Sequence, residues 1–255
     1  MLESLEPVFA KYSLVTAFVV VGLTLWVSYF ISKHLTRGRV CGSSIAILIG
    51  LVMAYWGGVL TDGKKGIADV SMFSGIGVMG GAMLRDLAIV ATAFGVRLDE
   101  FRKTGITGIV SLFLGIFVSF FVGAMVAFAF GYRDAESLTT IGAGAATYIV
   151  GPVTGGAIGA SPEVITISIA VGLVKSILVM SVTPFVAKWI GLDNPRSALI
   201  FGGLMGTTSG VAGGLAATDP KLVPYGAMTA TFYTGLGCFF GPSVVYIALK
   251  TMLGT

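Results

Sequence analysis

Charge is what this chain has least of: only 11 % of its 255 residues are Asp, Glu, Lys or Arg. An ordinary soluble domain carries about 25 %. Histidine occurs once, at His34, which excludes a His-based metal site and any triad that needs a histidine. Cysteine occurs twice, at Cys41 and Cys238, with no partner motif or ligand spacing, so both read as plain thiols. Paired carboxylates, a nucleophile–base set and a phosphate-binding glycine loop are all missing, so no enzyme chemistry and no cofactor is expected. The net charge of +4 needs no nucleic acid to explain it, because Lys and Arg are expected in loops beside a bilayer. The acidic opening MLESLEP lacks the basic region of a cleaved signal peptide, so no cleaved leader is expected.

What fills the chain instead is apolar: 55 % hydrophobic residues and a mean hydropathy of +0.95 make it an integral membrane protein. Tyr12–Ser32 and Gly42–Leu60 are runs of bilayer length, and the basic cluster Lys33, His34, Arg37 and Arg39 places the loop between them in the cytoplasm. Ser71–Gly95 is expected as a third span, with Arg85 and Asp86 side by side inside it. Gly105–Phe130 reads as a fourth, scaffold-like span. Pro162–Lys188 and Leu222–Leu249 complete a set of about six.

Two further stretches are apolar yet poor continuous helices. Leu138–Ser161 contains TTIGAGAATYIVGPVTGG, with five glycines, four threonines and the pair Gly151–Pro152, which is expected to interrupt it. Ala198–Pro220 contains FGGLMGTTSGVAGGLAATDP and has the same character. Hydrocarbon offers freed N–H and C=O groups no water, so such backbone persists only against protein or around a polar cavity. A pair of broken segments in one hydrophobic chain points to the solute site of a secondary transporter.

Each broken segment is followed by one long span. If each dips in and returns, the second unit is inverted relative to the first. An overlay at an offset of 58 pairs Gly155 with Gly213, Gly156 with Gly214 and Pro162 with Pro220. The expected fold is therefore an all-α polytopic membrane protein of about six full transmembrane spans plus two broken or re-entrant segments forming an inverted repeat. Eight spans, with both segments crossing, fit the charges as well. Residues 1–137 would form an N-terminal four-span part, and 138–255 the two inverted units carrying the site. Of the sixteen Lys and Arg residues, nine then fall in the cytoplasm, five outside and two in the membrane, with both termini outside.

The candidate solute-binding residues are Thr147, Tyr148, Gly151, Pro152, Thr154 and Gly155 in the first broken segment. In the second they are Thr207, Thr208, Ser209 and Gly210. A helix that breaks at mid-membrane aims backbone N–H groups and the positive end of its dipole into the gap, which suits a carboxylate. The hydroxyls of Thr147, Thr154, Thr207, Thr208 and Ser209, with loose carbonyls, suit a dehydrated Na⁺. Lys175 lies fourteen residues into its span, too deep to snorkel easily. Burying it costs about 2.5–3.5 kcal/mol, so it is expected either to pair with Asp86 or to meet an anionic solute. Arg85 and Asp86 face different directions on a helix and are expected in ion coupling or charge pairing.

The blocks GAMLRDLAIVATAFGV (81–96), TTIGAGAATYIVGPVTGGAIGAS (139–161) and GLDNPRSALIFGGLMGTTSGVAGGLAATDPKLVPYG (191–226) closely resemble the M subunit of the bacterial malonate transporter, MadM. The opening LESLEPVFAKYSLVTAFVVVGLT resembles that family too, so the likeness spans essentially the whole chain. It implies a secondary symporter of the bacterial cytoplasmic (inner) membrane that imports malonate with Na⁺ or H⁺, with a small hydrophobic L subunit, MadL, as obligate partner. Residues Leu138–Val245 also resemble the LrgB-like membrane proteins, a group that includes a plastid glycolate–glycerate carrier. Neither likeness carries residue roles with it. Two other readings stand beside the symporter: the membrane subunit of a Na⁺-pumping decarboxylase, and a holin-like pore or regulator.

Overall fold

The computed structural model describes residues 2–38, 40, 42–62, 66–79 and 98–254. They are mostly helical, without a strand among them. The helices Ser13–His34, Gly105–Ala129 and Pro162–Val186 and the helical stretch Pro220–Leu253 are each long and apolar enough to cross a membrane. The chain is an all-α polytopic membrane protein.

It divides into two compact units, residues 1–90 and 91–255. In the first, α1 (Leu2–Lys11) meets α2 (Ser13–His34) at Tyr12, whose backbone is non-helical. The second span α3 (Gly42–Thr61) packs on α2, where Tyr29 Oη and Ser43 Oγ lie 3.2 Å apart. Where the third span was expected to begin, Ser71–Phe73 forms a 3₁₀ turn and α4 (Gly75–Val78) a single helical turn. The remainder of that expected span, Arg85 and Asp86 included, lies outside the described residues.

The second unit is built on α5 (Leu98–Ala129), which bends at Gly105, where φ is +57°. It is followed by two copies of one motif: a short helix, a break, a second short helix and a long span. The first copy is α6 (Ala135–Ala146), α7 (Val150–Ile158) and α8 (Pro162–Val186). The second is α9 (Pro195–Met205), α10 (Thr208–Ala216) and α11 (Val223–Phe240). Local chemistry starts each piece. Asp134 caps α6 by accepting from Ser137 N at 2.7 Å, Asn194 caps α9 by accepting from Ser197 N at 3.0 Å, and Ser161 caps α8 ahead of Pro162. Pro242 lacks an N–H for the turn before it, and there the chain widens into a π-helical turn, Gly241–Val245, before α12 (Tyr246–Leu253).

Packing shows which way each piece runs. Gly151 of α7 abuts Gly144 of α6, and Gly155 abuts Thr140, so α6 and α7 are an antiparallel hairpin. Leu138, Ile141 and Val164 share a cluster with Ala127, which puts the start of α6, the start of α8 and the end of α5 at one end of the unit. Ala198, Leu215 and Leu222 share another with Ala187 and Leu192 at the opposite end. Helix α9 therefore enters from that second end and α10 returns to it. Both broken segments are re-entrant, which removes the eight-span version, and α8 and α11 run in opposite directions. The two copies are inverted.

Helix α5 lies across the pseudo-twofold axis relating them. Its Gly123 receives Gly142 and Ala145 of α6, while Gly115 and Ser111 receive Gly203 of α9. The repeat offset is not constant. It is 60 between the caps Asp134 and Asn194 and between Thr147 and Thr207, but 58 between Pro162 and Pro220. Helix α6 has 12 residues where α9 has 11, and the first break is longer by one residue.

Candidate functional site

The first break runs Thr147–Tyr148–Ile149 and the second Gly206–Thr207. The first is not made by Gly151–Pro152, as expected from sequence. Those residues sit inside the first turn of α7, where a proline loses nothing because the helix has no acceptor for its N–H. A threonine in each gap caps the helix that follows instead. Thr147 Oγ1 accepts from Ile149 N at 3.2 Å and Val150 N at 3.1 Å, and Thr207 Oγ1 accepts from Gly210 N at 3.4 Å. Gly206 closes α9 with φ +73°, which a side chain would strain.

The breaks converge. Along α8, Gly172 backs onto the Tyr148 backbone and Ser176 onto Gly210. These α8 positions are four residues apart, about 6 Å of helix rise. Along α11, Gly206 lies against the Tyr233 ring and Val150 against Gly237, again four residues apart. One cluster seals this level of the unit: Ile116 and Phe120 from α5, Ala143 and Ala146 from α6, Val150 and Tyr233. Four helix ends meet here. The N-termini of α7 and α10 bring positive dipole ends and the C-termini of α6 and α9 negative ones, so anions suit the first pair and cations the second.

Lys175 projects into this level from α8. Its Nζ donates to Ser119 Oγ at 3.0 Å and to the Ala146 carbonyl at 3.0 Å, and it lies 5.4 Å from the centre of the Tyr233 ring. The Ala146 carbonyl belongs to the last turn of α6, so the ammonium stands on a helix C-terminus. Of the two partners expected for Lys175, Asp86 lies outside the described residues.

Hydroxyls gather at the second break. Ser176 Oγ hydrogen-bonds Thr207 Oγ1, and Ser209 Oγ donates to Ser176 Oγ at 3.4 Å. Thr147, Thr154 and Thr207 are buried, whereas Tyr148, Pro152, Thr208 and Ser209 are half-buried. Gly151, Gly155 and Gly210 serve close packing against Ser168, Ile165 and Ser176 respectively. Among the described residues, three buried hydroxyls have no hydrogen-bond partner: Thr140, Thr154 and Thr208. Such a group costs about 1–3 kcal/mol. The first two are fully buried.

Among the described residues no three His, Cys, Asp or Glu side chains come together, and the oxygens at the two breaks belong to hydroxyls and backbone carbonyls. Apolar grooves of about 470 and 730 Å³ run elsewhere in the unit. One lies between α5 and the Val244–Leu249 segment, the other between α8 and α9, and neither includes a residue of the breaks.

Sequence reasoning brought forward Thr147, Thr154, Thr207, Thr208, Ser209 and Lys175; the first two lie in the first hairpin, the next three in the second, and Lys175 on α8 at the end of α6. It missed Ser119, Thr140, Ser176 and Tyr233. For Tyr233 a signal existed, because the offset of 58 that pairs Pro162 with Pro220 also pairs Lys175 with Tyr233. Ser119 and Ser176 carried none, being single hydroxyls in otherwise plain spans.

A protein-family model described as the malonate/sodium symporter MadM subunit matches residues 5–253 of the chain. No curated protein and no solved structure matches it.

Proposed function

Because the chain belongs to the MadM-subunit family of malonate/sodium symporters, we propose that it imports malonate coupled to Na⁺ by alternating access, with the solute seated between the two re-entrant hairpins. The observation that carries this is the convergence of two half-helix N-termini within about one turn of each other at mid-unit. Malonate is close to a dianion at neutral pH and needs positive potential at both ends. The first turns of α7 (Gly151, Pro152) and α10 (Thr208, Ser209, Gly210) supply amides and dipole charge, and Lys175 adds a full positive charge beside them.

Sodium is the cation that this donor set fits, since it binds through hydroxyl and carbonyl oxygens. Thr147 and Thr207 already spend their oxygens on capping. Thr154 and Thr208, buried without partners, have theirs to give. Coupling offsets the cost of bringing an anion in against an inside-negative potential, about 2.3 kcal/mol per charge per 100 mV. Arg85 and Asp86 are assigned to ion coupling or charge pairing on sequence grounds alone. In this reading residues 138–255 carry the site. The chain works in the bacterial cytoplasmic membrane with both termini outside, as one subunit of a complex with a small hydrophobic L subunit.

The test is uptake of labelled malonate into vesicles containing both subunits. An inward Na⁺ gradient is expected to accelerate it. Uptake indifferent to every cation gradient removes the proposal.

A further inference from the structure

The inverted repeat supplies an internal control for Lys175. At the offset of 58 that relates α8 to α11, its counterpart is Tyr233, and the two side chains do parallel jobs. Each stands at the end of the first short helix of a hairpin: Lys175 at the Ala146 carbonyl of α6, Tyr233 against Gly206 after α9. Each also reaches α5, where Lys175 donates to Ser119 Oγ at 3.0 Å and Tyr233 Oη donates to the Gly115 carbonyl at 3.0 Å. Ser119 and Gly115 are one helical turn apart on α5. In one copy, then, a neutral hydroxyl makes the tie to the axial helix. The fold asks for a donor at this position and does not ask for a charge.

The ammonium's surroundings suit a charge of another origin. Its partners are a helix-terminal carbonyl, a hydroxyl oxygen and the face of an aromatic ring. All three are electron-rich, and this is the kind of ligand set that strips and holds a monovalent cation in a membrane. We propose that the nest formed by the Ala146 carbonyl, Ser119 Oγ and the Tyr233 ring is a monovalent-cation site that Lys175 fills from within. The lysine thereby takes the place of one bound cation in the nest instead of gripping malonate directly. This rests on the malonate–Na⁺ reading and extends it: with one positive charge built into the site, a dianion binds beside one fewer diffusible cation, while the charge moved in each cycle is still set by the ions that cross.

Removing the side chain while leaving the nest should turn a tethered cation into a free one. The experiment uses the full-length protein carrying Lys175→Ala, with wild type and Lys175→Met as controls, the methionine filling the space without a charge. Thermal unfolding is followed against added methylammonium, ammonium, Na⁺ or K⁺ chloride, with choline chloride as the ionic-strength reference. Lys175→Ala is expected to gain a saturable rise of about 3 °C or more with at least one of the small cations. Wild type and Lys175→Met should show none at this site. An alanine variant that responds no differently from its controls overturns the proposal. So does one that cannot be recovered folded even when methylammonium is supplied during expression, since a nest that takes a free cation should be restored by it. The readout involves no malonate, so failure of the transport reading and failure of the nest are seen separately.

Discussion

Thr154→Val separates a working hydroxyl from a packing accident, because only the first makes Na⁺ dependence of uptake follow its loss. Thr154 lies on α7 against Gly241, is fully buried, and its Oγ1 has no hydrogen-bond partner. A buried unpartnered hydroxyl costs about 1–3 kcal/mol, and valine keeps nearly the same shape without it. In the absence of cation the variant should therefore be more stable than wild type by about 1 kcal/mol. For a chain of this size that is about 2–4 °C in melting temperature. If the oxygen is also a Na⁺ ligand, its loss should raise the half-saturating Na⁺ for malonate uptake about tenfold, the equivalent of about 1.4 kcal/mol. The assay pairs a melting curve in choline chloride with a Na⁺ titration of uptake. Thr166→Val is the control, since that hydroxyl is already paired with the Pro162 carbonyl on the outer face of α8. A raised melting temperature with an unaltered Na⁺ titration would show that the oxygen is a mere packing defect. A lowered melting temperature would show that it has a native partner after all.

Three further outcomes are expected. Thr207→Ala removes the cap of α10 and one partner of Ser176, and should cost about 1–2 kcal/mol in stability, read from thermal unfolding; Thr147→Ala should cost about 1 kcal/mol at the other hairpin. Gly172→Ala would drive a methyl into the Tyr148 backbone, which a flexible side chain cannot relieve, so folded yield should fall by more than for Gly156→Ala, whose added methyl meets nothing. Lys175→Met should abolish malonate uptake while the protein remains in the membrane at wild-type level. Normal uptake would reduce the lysine to a helix tie.

Much of the architecture was legible along the chain because a bilayer writes its demands into composition. Spans of twenty or more apolar residues, and Gly- and Thr-rich stretches that could not be plain helices, stood out without reference to contacts. The order of broken segment and long span, repeated once, implied inversion only if each broken segment returns to its own side, and Lys175 was conspicuous because a deep charge is costly. Boundaries within the broken segments were another matter. Gly151–Pro152 looked like the interruption, but a proline is at ease in the first turn of a helix, and the chain turns at Thr147–Ile149 instead.

What tertiary structure alone decided are the relations between distant residues. Whether each broken segment crosses or returns depends on Gly144 meeting Gly151 and on Leu215 rejoining Ala198, and no local propensity encodes either. Lys175 finds Ser119 across 56 residues, and Tyr233 finds Gly115 across 118. Hydropathy reports only how each stretch stands toward lipid. Which donor meets which acceptor inside is settled by the pseudo-twofold packing of two hairpins around α5, where close-fitting glycines permit one register and exclude the rest.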